Sequence, residues 1–283
     1  MRGAAGCPLS RDNGRVTRQR SYVVLRRDIE TTPQPVGGTF REVAFRPVPV
    51  LSPLSRWLAV YCVDTAERVV SLTYDDGPHP EHTPRILDVL AEAGATATFF
   101  VLSRQVLANP EVTRRIIAEG HEIGLHGDDH TSLLDMGTRE AVRRVRGARA
   151  AVEDVIGRPI TLYRPPYGMG RIRQLAALAA LGLEIVIWTG AGEDWVHDEE
   201  LAIAGRAVAT TFPGGFILLH DDRGDPETLG RDEAPPSFDR ALVARSILDG
   251  LQEGGYTTAT VGSLLDRFPA VRTINRDATR WGS

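Results

Sequence analysis

Two adjacent carboxylates, Asp75 and Asp76, stand at the end of an apolar lead-in, Val69-Val70-Ser71-Leu72, directly before Gly77-Pro78. The lead-in reads as a short buried strand that the Gly-Pro pair terminates. Successive strand side chains point to opposite faces, so the two acids can serve different partners only if the chain twists where the strand ends. Crowded carboxylates raise each other's pKa unless a cation lies between them. Ligands for such a cation stand about fifty residues further on, in Gly124-Leu125-His126-Gly127-Asp128-Asp129-His130. The i, i+4 spacing of His126 and His130 predicts both imidazoles on one face of a helical turn. One carboxylate with two histidines makes an open metal site, with room for water and a substrate oxygen.

Positioning these residues falls to a regular alternation that begins at Val69. Strands are predicted at 69–74, 96–102, 122–125, 161–163, 183–188, 216–219 and 256–260. Helices are predicted at 83–93, 105–119, 138–156, 172–181, 199–211, 238–253 and 261–268, most of them ending at glycine. Repeated strand–helix units predict a parallel sheet with outer helices, and the chemical residues then fall just after strands, on the C-terminal rim. Periodicity alone leaves a closed barrel and an open sheet equally open.

Upstream, residues 1–68 read as a basic tail to Arg20 followed by a lead-in rich in Pro and Gly, with short strands at 21–27, 41–46 and 57–63. Residues 269–283 read as a C-terminal tail. The 283-residue chain is 42% apolar and 25% charged, enough to bury a full core. Its net charge of −4 argues against a nucleic-acid partner. All 33 cationic side chains are arginines. Cys7 and Cys62 form neither a disulfide framework nor a metal motif. The N-terminus lacks the apolar core of a signal peptide, and Val48–Val63 is too short and too broken to span a bilayer. The expectation is a cytoplasmic protein with no stable membrane insertion, or a secreted one if the true start lies upstream; the oligomeric state stays open.

Five segments occur in order: Thr73–Pro78, the His126/His130 pair, Arg164-Pro165-Pro166-Tyr167-Gly168, Asp194-Trp195 and Leu218-Leu219-His220-Asp221. This series resembles the motifs of the NodB-homology polysaccharide deacetylases, carbohydrate esterase family 4, over roughly Val69 to Phe268. The resemblance implies a distorted (β/α)7-type barrel with its active site at the C-terminal rim, formed by residues 69–268. Asp76, His126 and His130 are then the metal ligands. The divalent metal is expected to be zinc, with cobalt or nickel as alternatives.

Asp75 is expected as general base toward water that the cation acidifies, held ionised by the Arg164 fork. The backbone N–H of Tyr167, after two prolines that supply no donor, is expected to face a developing oxyanion. His220 is expected as general acid to the departing amine, with Asp194 keeping it charged. Tyr167, Trp188 and Trp195 are expected to line the substrate pocket. Two positions depart from the family pattern: Gly127 stands where a hydroxyl residue usually follows the first histidine, and Ala191 where an acid usually precedes Asp194. The loop over Asp222–Pro236 is expected to border the pocket, His79 and His82 its rim, and His121 and His197 to be structural.

These readings lead to metal-dependent hydrolysis of an N-linked acetyl group on an N-acetylglucosamine-type sugar. The alternatives are O-deacetylation or hydrolysis of a small acylated metabolite, and a barrel that binds carbohydrate without catalysis. A non-haem iron oxygenase also uses two histidines and a carboxylate, but it leaves Asp75, Arg164 and His220 without roles.

Overall fold

The computed structural model describes residues 22–25, 55, 57–223 and 236–274. The basic tail with Cys7, the strand expected at 41–46 and most of the Asp222–Pro236 loop lie outside the described residues. Strands β1 (Tyr22–Leu25) and β2 (Ala59–Val63) precede β3 (Val69–Asp75), and α1 (His82–Glu92) leads to β4 (Ala97–Leu102). Helices α2 (Ser103–Ala108) and α3 (Pro110–Ala118) precede β5 (Glu122–Gly127), and α4 (Thr138–Ile156) precedes β6 (Leu162–Tyr163). Helix α5 (Ile172–Ala179), β7 (Glu184–Ile185), β8 (Gly190–Ala191), α6 (Glu200–Ala209) and β9 (Phe216–His220) follow. Helix α7 (Arg240–Glu253), β10 (Thr257–Thr258), α8 (Val261–Arg267) and β11 (Ala270–Ile274) complete the described chain.

The main sheet runs β7-β6-β5-β4-β3-β9-β8, with β10 beside β3, and every described pairing in it is parallel. It curls into the distorted (β/α)7-type half-barrel expected for the chain. Every residue of β3 and β4 is buried, as central parallel strands covered on both faces must be. The helices cover the sheet with apolar stripes: Ile86, Leu87 and Leu90 on α1, and Ala141, Val145, Ala148 and Val152 on α4.

Three elements differ from the sequence reading. The helix expected at 105–119 is broken into α2 and α3 at Asn109, whose φ of −130° and ψ of 56° are non-helical. Pro110 is the cause, because its ring disfavours the helical region for the residue before it. The segment expected as a C-terminal tail begins with β11, which pairs parallel with β1 and antiparallel with β2. This small sheet meets the barrel through the Val60–Val186 bridge and the Val63 N–H to Gly214 carbonyl bond, next to the start of β9. Finally, the strand expected at 183–188 holds the ladder only over β7, and β8 pairs with β9 just beyond it.

Candidate active site

Strand alternation decides which side chains meet. Tyr74, Phe99, Ile123, Leu125, Tyr163, Ile217 and Leu219 pack in the larger core cluster with the helices. Their strand neighbours Val69, Phe100, Leu162 and Phe216 form the second cluster. With a period of two, Asp75, His126, Arg164 and His220 all belong to the face of Phe100 and Leu162. Asp75 and His220 are also register partners at the matching ends of β3 and β9. Asp76 would point away if the strand continued. Its φ of 79° instead turns the chain and returns its carboxylate to the same side, a conformation aspartate tolerates better than most residues.

The carboxylate of Asp76 lies 3.4 Å from His126 Nε2 and 3.6 Å from His130 Nε2. One donor atom from each of the three residues falls within 4.8 Å of the others. His126 Nδ1 sits 2.7 Å from the Arg164 carbonyl, which fixes the ring with Nε2 toward Asp76. Burial, and then the neighbouring His130, hold His126 well below the usual imidazole range, so the ring is neutral, as a ligand must be. A carboxylate with two imidazole nitrogens in this arrangement fits a divalent metal. The histidines do not share a helical turn, however. His126 belongs to β5, and the chain turns at Gly127, whose φ is 156°. A Cβ there would lie 2.8 Å from the Asp129 carbonyl, so glycine is what lets the loop return His130 to the site. Ser103 donates to Asp128 at 2.6 Å and Arg144 to Asp129 at 2.6 Å, bracing that loop from both sides.

Arg164 is fully buried and donates to Asp75 at 2.6 Å and to Thr73 Oγ1 at 2.8 Å. Its guanidinium lies 4.1 Å over the Phe100 ring and 5.6 Å from that of Trp188. Trp188, expected to line the pocket, is half-buried and packs against Arg164 and Gly168. Burial pushes Asp75 up to about 6, against the pull of Arg164 and His220 and with a further push from Asp76. Across the centre, His220 Nδ1 lies 2.7 Å from Asp194, which also accepts the His220 backbone N–H at 2.7 Å. Burial opposes charge on His220, but Asp194 outweighs it and raises the imidazole to about 9. Trp195, 39% exposed, meets His220 edge-on at 5.8 Å, and Tyr167, 38% exposed with φ 59°, meets His130 edge-on at 4.4 Å.

The profile of the polysaccharide deacetylase family matches residues 63–186. A chitooligosaccharide deacetylase of Sinorhizobium fredii is 37% identical over 193 residues, covering 66% of this chain and 87% of that one. The chain belongs to the polysaccharide deacetylase family. A peptidoglycan-N-acetylglucosamine deacetylase of Listeria monocytogenes is 36% identical over 152 residues, which span 32% of that larger protein. Among solved structures, a peptidoglycan N-acetylglucosamine deacetylase superposes with a TM-score of 0.66 at 27% identity, over 76% of this chain and 95% of its own. A family pseudoenzyme from Bacillus anthracis shares the fold at 22% identity, with a TM-score of 0.62 over 73% of this chain and 67% of its own. Among the described residues no helix is long and apolar enough to cross a membrane.

In this polysaccharide deacetylase chain, three neighbours of the site escaped sequence reasoning. Arg240, the first residue of α7, donates to the His220 carbonyl at 2.8 Å and lies 3.5 Å from Asp194. An arginine opening a helix carries no signal of such a role. Thr73 had one: it precedes Asp75 by two, on the same strand face. Asp221 follows His220 and is buried under the Asp75–Gly77 turn. Its backbone N–H donates to the Asp75 carbonyl at 3.3 Å, its carboxylate accepts from Thr83, and a Cβ on Gly77 would lie 2.2 Å from Asp221 Oδ2. The histidines outside the centre serve the scaffold. His79 Nδ1 accepts the N–H groups of Glu81 and His82, and its ring stacks on His82 with centroids 4.1 Å apart. His121 accepts the Ala97 N–H at 3.2 Å and His197 that of Ser237 at 3.2 Å.

Proposed function

We propose that the chain hydrolyses the N-acetyl group of an N-acetylglucosamine-type glycan with a divalent metal, zinc first among the candidates, held by Asp76, His126 and His130. One observation carries this reading: a base-type pair, Asp75–Arg164, and an acid-type pair, His220–Asp194, flank the same three ligands. When bound, the metal would act as a Lewis acid toward the acetyl carbonyl and lower the pKa of water. Asp75, ionised above about 6, accepts the proton of the attacking water at Oδ2, while Arg164 fixes its Oδ1. The Tyr167 backbone N–H stabilises the oxyanion that develops on the carbonyl oxygen. His220, charged up to about 9, delivers a proton from Nε2 to the nitrogen as the C–N bond breaks. Free amine and acetate result. Trp195 and Tyr167 present exposed rings on either side for the sugar.

The test is acetate release from chitohexaose, peptidoglycan fragments, acetylated xylan and small N-acetyl glycosides, with zinc and with chelator. Chelation should abolish release and zinc should restore it; release that survives exhaustive chelation removes the metal from the reading. Asp75→Asn should lower turnover by roughly 10²-fold or more with zinc still bound. Unchanged turnover would take the base role from Asp75.

A further inference from the structure

The loop that carries Asp194 and Trp195 has little of its own to hold it. From Glu193 to His197 only Asp194 is buried, and the other four side chains are exposed. Such a stretch buries too little apolar surface to fix its own path. Its backbone also bends at Glu193, whose φ of 57° is a left-handed conformation that a glutamate keeps only where its surroundings impose it. The bend opens a tight turn, in which the Val196 N–H donates to the Glu193 carbonyl at 3.2 Å.

Helix α6 supplies the missing anchor. Its first turn lies at the C-terminal rim, because the helix follows β8, and Arg206 stands two turns further along it. Helical side chains lean toward the N-terminus, so the long arm of Arg206 points back to the rim. Arg206 Nε donates to the Gly192 carbonyl at 3.0 Å, and Nη1 donates to Asp198 at 2.7 Å. Glu193 adds its carboxylate at 3.6 Å. One guanidinium thus ties the residue before the bend, the bend itself and the far end of the loop. A planar fork can do this where a lysine ammonium is a single point charge. Gly192 fits the same contact: a Cβ there would lie 3.0 Å from Ile203 Cγ2, so the backbone rests directly on α6. So closed, the loop puts Asp194 on the ring and backbone N–H of His220, both at 2.7 Å, and Trp195 edge-on to that ring.

We propose that Arg206 is a positioning residue for the acid pair: by clamping both ends of the 192–198 loop it holds Asp194 on His220 and Trp195 beside it. The inference rests on the deacetylase reading for its effect on turnover, but not for its effect on His220. Arg206 and Asp198 are 33% and 40% exposed, so either can be changed with little disturbance of the core.

The test is Arg206→Met in the full chain with zinc, read by NMR titration of the His220 ring and by the pH profile of acetate release from chitohexaose. Asp75, Asp76, His126 and Arg240 also face His220, and the variant leaves them in place. With Asp194 loosened, the His220 ring should titrate about one pH unit lower than in the wild type. At pH 8 kcat/KM should fall about tenfold, and at pH 6 by less. Arg149→Met is the control, since Arg149 makes a similar fork at the opposite rim, to Glu153 at 2.7 Å and the Leu181 carbonyl at 3.0 Å. It should leave the His220 titration unchanged; an equal shift there overturns the proposal. Arg206→Lys keeps the charge and loses the fork, so it should behave as Arg206→Met, and full restoration by lysine overturns the two-point clamp. An Arg206→Met protein that melts earlier yet titrates His220 at the wild-type pH has lost a merely structural contact, which also overturns it. Should Arg206→Met fail to fold, Asp198→Ala decides. It removes one end of the clamp and should move the titration in the same direction, and an unchanged titration overturns the proposal. If none of the proteins releases acetate, the deacetylase reading fails while the His220 titration still decides the clamp.

Discussion

The two flanks of the candidate centre each pair an aspartate with cationic donors, yet the two carboxylates end in opposite states. Asp75 receives one arginine contact and lies beside Asp76; burial wins, and its carboxyl rises to about 6. Asp194 is as deeply buried, but it takes the ring of His220, the His220 backbone N–H and the nearby Arg240 guanidinium. Those donors outweigh burial and hold Asp194 below the usual carboxylate range. The residue type is the same, and the number of donors decides the outcome. A carboxyl that titrates near neutrality suits accepting a proton, and a permanent anion suits keeping a neighbour charged. Asp75 ends β3 and Asp194 follows β8, with β9 between those two strands and His220 at its end.

The comparison breaks most severely at Arg164. Arg164→Met strands Asp75 without its partner in a fully buried position, and loss of one member of such a pair costs about 3–5 kcal/mol. Urea unfolding of the chelated protein should show that loss, and adding Asp75→Asn to the same chain should restore much of it. A cost below about 1 kcal/mol would mean that Asp75 is already neutral or solvated. The opposite flank is tested by the pH profile. With the metal-free values, kcat/KM should rise through about 6 as Asp75 ionises and fall through about 9 as His220 loses its proton. A bound cation favours carboxylate over acid and imidazole over imidazolium, so both limbs move to lower pH in the zinc enzyme. In Asp194→Asn, burial is opposed on His220 only by the weaker pull of Asp76 and Asp75, so its pKa falls. The alkaline limb should then collapse toward the acid one, with about tenfold loss at pH 8 and less at pH 6. An alkaline limb that stays in place would assign it to another group.

Much of this arrangement is legible because two short-range rules carry it. A period of two along Val69–Asp75, Glu122–Gly127 and Phe216–His220 places the chemical side chains on one face, and parallel connection places their strand ends on one rim. The break at Asn109-Pro110 had a local signal that the reading of 105–119 as one helix passed over, since a residue before proline resists helical geometry. The histidine pair was misread because i, i+4 spacing has a second solution: a strand end followed by a tight turn, which Gly127 permits. Other contacts span distances no local pattern encodes. Strand β11 completes a sheet with residues more than two hundred positions upstream, and Arg240 reaches Asp194 from the start of a helix. Neither leaves a periodic signature.

Asp221 supplies the subtlest test, because it sharpens the contrast with a third buried aspartate that has almost no donors. Burial pushes it up to about 7, with Asp222 and Asp76 adding to the push and the Thr83 hydroxyl resisting it. Its folded pKa is therefore raised above the unfolded value of about 3.9. The folded state then binds more protons than the unfolded state between those values, so this group's contribution to stability is complete below about pH 4 and is lost as pH rises through about 7. Asp221→Asn keeps the shape and an oxygen for Thr83 and removes the titration. On the chelated protein, the variant and the wild type should match near pH 4, and the variant should become more stable on the order of 1 kcal/mol by pH 8. Turnover in the zinc enzyme should change only a few-fold, since the Asp75–Gly77 turn keeps its brace. A variant that is less stable at pH 8 would place Asp221 with Asp194, as a carboxylate held ionised by its surroundings.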